Sequence, residues 1–263
     1  MSRLAALLLA LLQPQLAAAE VLTLPTGRGE ATLRVLVLPP SGPPRGAVVL
    51  LAGGDGELGL TEAGTISSLA GNQLVRTRAD YVAAGYLVAL PDMATDSWRR
   101  RGARVSPEHA ADLGKVVALL RPRAPWVALL GTSRGTLSAA NAAARLTGAE
   151  APDALALTAG MLMADTGGDF SVQGIPGIER IAMPVLLLHH SDDQCRITPP
   201  SGPARLQPLL VAAQVRVVML SGGSGYGNMC EGRSAHGFNG IDDQVVATMT
   251  QWLAGVTARP ARP

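Results

Sequence analysis

The chain has 263 residues, 48% of them apolar and 16% charged, a composition that buries a sizeable core and excludes a disordered chain. Its 22 basic and 20 acidic side chains leave a formal charge of +2, too near balance to draw nucleic acid or an anionic membrane by charge alone. The length suits one large α/β domain, and no Pro/Ser-rich linker divides it.

Residues 1–19 open with Arg3, run through the apolar stretch Leu4–Leu12 and end in Ala17-Ala18-Ala19 before Glu20. This is the layout of a secretory signal, with cleavage expected after Ala19 and a mature domain over 20–263. The apolar stretch is well short of the roughly 20 residues that cross a bilayer, so an exported protein, periplasmic or secreted, without stable membrane insertion is expected. In an oxidising compartment the two cysteines, Cys195 and Cys230, are expected to pair.

Glu20–Thr23 and the alternating Ala31–Leu38 read as two strands around the turn Gly27-Arg28-Gly29, a hairpin-like opening. Short unbroken apolar runs then recur at Ala47–Ala52, Leu87–Leu90, Trp126–Leu130, Ala154–Leu157, Pro184–Leu188 and Val215–Leu220, the pattern of strands buried on both faces. Helical spacing fills the intervals at Ala79–Ala84, Pro107–Leu120, Arg134–Leu146, Ala204–Ala213 and Asp242–Leu253. Alternation of this kind predicts an α/β domain: a mostly parallel central sheet with an antiparallel N-terminal hairpin and helices on both faces. Ligands in such folds bind beyond the carboxyl ends of the strands. The Gly-rich stretch Ala164–Arg180 is expected to form a small or minimal lid.

Directly after Trp126–Leu130 comes Gly131-Thr132-Ser133-Arg134-Gly135, followed by the helical pattern Thr136–Leu146. A G-x-S-x-G pentapeptide at a strand-to-helix turn exposes its serine hydroxyl on a strained bend, and its glycines let strand and helix approach. At the helix start, the backbone N–H of Arg134 is placed to stabilise negative charge on a tetrahedral intermediate. A serine hydroxyl is a weak nucleophile at neutral pH and needs a base and a group to orient that base. Of four histidines, His109 falls in a stretch reading as a surface helix, His189 and His190 end a strand, and His236 follows the last apolar run within Ser234-Ala235-His236-Gly237-Phe238.

The strand order, the Ser133 turn and the downstream motifs resemble the α/β-hydrolase fold of esterase- and lipase-like serine hydrolases, in which nucleophile, acid and histidine follow one another along the chain. The resemblance implies a triad of Ser133, an acid near 193, and His236. His189-His190-Ser191-Asp192-Asp193 resembles the family's acid loop of His, Gly, two variable residues and Asp, with His190 in place of the glycine; the alignment selects Asp193, with Asp192 the fallback. Ala52-Gly53-Gly54-Asp55-Gly56 resembles the family's His-Gly-x loop with alanine in place of histidine. It implies Gly54 as the second backbone oxyanion donor beside Arg134, or Asp55 if the loop is shifted by one. A Cys195–Cys230 bridge would then tie the acid loop to the histidine loop.

What the resemblance implies is an exported serine hydrolase that cleaves a small-molecule or polymeric carboxylic ester through an acyl-enzyme, with no cofactor and no metal. An amidase or peptidase of the same fold and an exported binding protein without turnover are the alternatives. A metal site of His189, His190, Asp192 and Asp193 is disfavoured, since adjacent residues rarely converge on one ion. The cluster Arg99, Arg100, Arg101 and Arg104 after Trp98 reads as a solvated charged face, or else reaches an acidic substrate group. Asn72, Arg76 and Arg78 are expected to pair with Asp80, Asp92 or Asp96, while Met161 and Met163 are candidates to line a pocket or else to pack in the core.

Overall fold

The computed structural model describes residues 18–211 and 214–257. The expected leader lies outside the described residues except at Ala18 and Ala19. The hairpin of β1 (Glu20–Pro25) and β2 (Thr32–Leu38) opens the chain. It is followed by β3 (Ala47–Leu51), β4 (Leu87–Pro91), β5 (Val127–Thr132), β6 (Ala154–Thr158), β7 (Val185–His190) and β8 (Val215–Leu220).

These strands form one eight-stranded sheet in the order β1-β2-β4-β3-β5-β6-β7-β8. Pairing is antiparallel from β1 to β2 and from β2 to β4, and parallel across the rest. The connections are α1 (Gln73–Arg76), α2 (Arg78–Ala83), α3 (Pro107–Leu120), α4 (Gly135–Arg145), α5 (Gly202–Leu206) and the closing α6 (Asp242–Leu253). No helix among the described residues is long and apolar enough to cross a membrane.

Unbroken apolar strands need cover on both sides, and the period of two distributes them. Val48 and Leu50 of β3 pack with Leu74, Tyr81, Val245 and Met249, the layer of α1, α2 and α6. Ala47, Val49 and Leu51 face the other way, into Leu113, Val116, Val117 and Leu137 of α3 and α4. Each fully buried Val or Leu contributes about 1.5–3 kcal/mol, so the two faces together dominate stability. Helix α3 begins where Pro107 occupies its first turn and the Ser106 side chain accepts from the His109 N–H.

Two helical segments depart from the periodicity. Over 204–213 the described chain gives only α5 and a 3₁₀ turn at Gln207–Leu209. Pro208 has no N–H to donate and its ring crowds the carbonyl four residues back, so the helix stops there. The four-residue α1 is too short for periodicity to reveal.

The chain order reverses at β3: β4 lies on one side of it and β5 on the other. A crevice opens beyond the carboxyl ends of strands at such a switch point. Residues 164–180 run along its rim as two 3₁₀ turns, Ala164–Thr166 and Ile178–Arg180. They are pinned by Val172 N–H to Met161 O (2.8 Å), Gln173 N–H to Leu162 O (3.0 Å) and the buried Val172 and Ile175.

Candidate active site

Ser133 lies just past β5, at the mouth of the switch-point crevice, with φ 52°. A left-handed conformation costs a non-glycine residue roughly 1–3 kcal/mol, and the surroundings enforce it. The Ser133 N–H donates to Thr158 O at 3.0 Å, and its carbonyl accepts from Thr136 N–H and Oγ1. The flanking glycines answer to space. A Cβ on Gly131 would strike the Gly135 carbonyl, and one on Gly135 would strike the carbonyl of Leu51 in β3. Strand β5, helix α4 and strand β3 therefore meet backbone to backbone around the serine.

The Gly53-Gly54 turn at the end of β3 faces the same place. A Cβ on Gly53 would come within 3.0 Å of Ser133 Cβ, and Gly54 sits at φ +58°. Arg104 holds this turn: one guanidinium nitrogen donates to Ala52 O, Gly53 O and Gly54 O at 2.9, 3.0 and 3.3 Å, and the other to Ser138 Oγ at 2.9 Å. Desolvation, then repulsion from Arg134, brings the Arg104 pKa down to about 10, so it stays charged at neutral pH.

The loop after β7 delivers Asp193, buried at 4% exposure, while Asp192 is exposed. Asp193 Oδ2 lies 2.9 Å from His236 Nδ1, 3.1 Å from Thr198 Oγ1 and 3.2 Å from His189 Nε2; Oδ1 accepts from the Cys195 N–H at 2.8 Å. Burial alone would raise this carboxyl, but hydrogen bonds from His189 and His236 outweigh it and hold the pKa at about 2. The His189 Nε2 also lies 2.9 Å from Thr198 O. Two acceptors facing one ring nitrogen require a hydrogen there, leaving the buried Nδ1 without a partner.

His190 instead bonds Gly222 O through Nε2 (3.0 Å) and accepts from the Asp192 N–H through Nδ1 (3.0 Å). Among the described residues no group of three or more His, Cys, Asp or Glu side chains gathers as a metal site.

His236 stands on the 3₁₀ turn Ala235–Gly237, and its loop is fastened twice. Cys230 is joined to Cys195 by a disulfide, two residues beyond Asp193. Arg76 donates to Gly232 O (3.0 Å), Gly237 O (2.7 Å) and both carboxylate oxygens of Asp242 (2.9 and 2.7 Å).

Ser133 and His236 line one cavity of about 130 Å³ together with Gly53, Gly54, Asn72 and Gln73. The Ser133 hydroxyl makes no hydrogen bond to the ring here; such bonds are often long before substrate binds. Asp55 lies in the lining of a neighbouring cavity of about 440 Å³, whose wall includes Gly54 and Arg134.

Several residues lie elsewhere than their sequence context suggested. His109 is not on a surface: it is 4% exposed with Nε2 2.8 Å from Ser138 Oγ, and desolvation followed by repulsion from Arg104 pushes its pKa down to about 3. Arg104 is half-buried and grips a turn instead of joining a solvated face. Arg76 pairs with Asp242, Arg78 caps the Val75 carbonyl, Asp92 accepts from the Leu58, Leu60 and Met93 N–H groups, and Asp96 pairs with Arg28. Arg76 and Arg104 carried no sequence signal of their roles, since each acts on partners distant in the chain.

No protein-family model and no curated protein matches the sequence. Solved structures do match the fold. Est1E from Butyrivibrio proteoclasticus superposes with a TM-score of 0.62 at 14% identity, over 89% of this chain and 97% of that one. MGS-M1, an alpha/beta hydrolase enzyme from a Medee basin deep-sea metagenome library, gives 0.61 at 18% identity over 89% and 96%. XC6422 from Xanthomonas campestris, described as an a/b serine hydrolase without lid, gives 0.54 at 20% over 93% and 97%. The chain has the α/β-hydrolase fold.

Proposed function

We propose that the protein is an exported serine hydrolase acting on carboxylic esters, with Ser133 as nucleophile, His236 as general base and Asp193 as the group that orients His236. The observation that carries this reading is the 2.9 Å contact from Asp193 to His236, whose side of the cavity wall is shared with the strained Ser133. His236 Nδ1 donates to Asp193, which frees Nε2 to take the Ser133 proton as Oγ bonds the ester carbonyl carbon. The oxyanion that forms is held by the backbone N–H groups of Arg134 and Gly54.

Collapse of the tetrahedral adduct breaks the carbon–oxygen bond, and His236 returns the proton to the departing alcohol. Water then attacks the acyl-enzyme with His236 again as base, releasing the acid and restoring Ser133. Export accords with the Arg3 to Ala19 leader layout and with the disulfide. Ser133→Ala tests the assignment: hydrolysis of short p-nitrophenyl esters is lost while the circular dichroism spectrum stays that of the parent protein. Undiminished turnover would overturn it.

A further inference from the structure

The 440 Å³ cavity beside Ser133 has an apolar floor that includes Leu137, Met161, Phe170 and Ile197, and five arginines in its wall against two carboxylates, Asp55 and Asp169. This concentration stands out in a chain with a formal charge of only +2. Three of the arginines are engaged. Arg101 pairs with Asp169 at 3.1 Å, Arg100 lies 3.8 Å from Glu108, and Arg104 is committed to the Gly53-Gly54 turn and Ser138.

Arg99 and Arg134 have no ion pair among the described residues. The Arg99 guanidinium is stacked 4.1 Å from the Trp98 ring centroid, and Trp98 Nε1 is in turn bonded to Glu57. Its fork is therefore partly ordered before any ligand arrives. Arg134 directly follows the nucleophile. Like charges gathered around a concave, partly apolar wall repel one another and focus a positive potential into the space between them. An anion relieves that repulsion, and guanidinium forks match the planar geometry of a carboxylate.

We propose that this cavity selects esters bearing an anionic group, held by Arg99 and Arg134 while the ester carbonyl lies at Ser133. The inference rests on the ester-hydrolase reading above and specifies its substrate class. A neutral ester of the same size would fill the apolar floor and leave the two guanidinium groups without an anion. The volume suits a small organic acid, not a polymer chain end to end.

The test compares two matched pairs at low ionic strength. Mono-p-nitrophenyl succinate against p-nitrophenyl butyrate places the anion in the acyl half, and 4-acetoxybenzoate against phenyl acetate places it in the alcohol half. In one pair the anionic ester is expected to have the higher kcat/KM by about tenfold. That ratio should shrink at about 0.5 M NaCl, where the Debye length falls to a few ångströms. Arg99→Gln and Arg134→Gln are expected to bring it towards unity, Arg99→Lys to retain only the part due to charge, and the exposed Arg180→Gln to leave it unchanged. Calorimetric titration of glutarate into Ser133→Ala protein reads anion binding without turnover, and that binding should be lost in Ser133→Ala/Arg99→Gln. Preference for the neutral ester in both pairs, or a ratio indifferent to both arginine variants, overturns the proposal while leaving the ester-hydrolase reading standing. Absence of all Ser133-dependent turnover overturns that reading instead, and absence of glutarate binding then removes the anion site as well.

Discussion

A guanidinium nitrogen of Arg104 donates at 3.0 Å to the carbonyl of Gly53, the residue whose Cβ position lies 3.0 Å from Ser133 Cβ. The positive charge acts on the peptide that flanks Ser133, so under the proposed mechanism Arg104 serves as a positioning residue. Arg104→Met leaves the carbonyls of Ala52, Gly53 and Gly54 and the Ser138 hydroxyl short of a donor, each lapse costing about 1–3 kcal/mol where burial is complete. The expected outcome is a kcat at least tenfold lower with KM for a short ester little changed. Arg104→Lys should recover only part of the loss, because one ammonium cannot span the turn and Ser138 together. Steady-state kinetics on the three proteins, with unfolding midpoints measured alongside, checks this.

Asp193 makes stability depend on acid. Its folded pKa of about 2 lies below the ordinary value of 3.8, so the unfolded chain takes up the proton first. The stabilisation is fully present above about pH 4 and is lost as pH falls towards 2. A displacement of this size corresponds to roughly 2 kcal/mol. Urea midpoints measured between pH 5 and 2 should decline more steeply in the parent protein than in Asp193→Asn. The same variant should lose about a thousandfold or more in kcat at neutral pH, since His236 Nδ1–H would no longer face a carboxylate.

The Cys195–Cys230 disulfide spans 35 residues and joins the two loops that carry Asp193 and His236. Loop-closure entropy of that length corresponds to about 3–4 kcal/mol. The double variant Cys195→Ala/Cys230→Ala should lose stability of that order in chemical denaturation. It should also lose kcat at temperatures where it remains folded, because Arg76 on the His236 loop and Thr198, whose Oγ1 lies 3.0 Å from His236 Nδ1 and 3.1 Å from Asp193 Oδ2, are then left to hold carboxylate and imidazole together. Equal kcat in the folded double variant would make the bridge purely a matter of stability.

Gly135→Ala reverses the usual sign of a helix substitution. Alanine in place of glycine inside a helix ordinarily gains about 1 kcal/mol, but here its methyl group would run into the Leu51 carbonyl. The variant is expected to unfold at a clearly lower temperature. By contrast Gly148→Ala, where a Cβ meets nothing within 4 Å but φ is +59°, should suffer only the smaller cost of a left-handed alanine. Thermal melts of both proteins distinguish collision from backbone preference.

The layers of this fold were legible because buried parallel strands must be apolar throughout while their helices repeat at 3.6 residues; all six apolar runs fall on strands. Ser133 was legible for the same local reason, as its two glycines lie within two residues of it. Asp193 and His236 were placed by a resemblance in chain order. For Arg76 the sequence offers only the nearby acids Asp80, Asp92 and Asp96 without choosing among them, whereas its partner Asp242 lies 166 residues away. No local pattern encodes that separation. His109 and Arg104 escaped for a related reason: a charged or imidazole side chain near a helix start reads as solvated until the neighbouring helix, here α4 with Ser138, is known to lie over it.

Gly54 lines both the cavity that holds Ser133 and the arginine-rich cavity beside it, and the two linings share no other residue. The two cavities therefore meet at this glycine. Arg104 belongs to the arginine side and also bonds the carbonyls of Gly53 and Gly54, so a change among the arginines is felt at the serine as well, and neither compartment can be rebuilt without the other registering it.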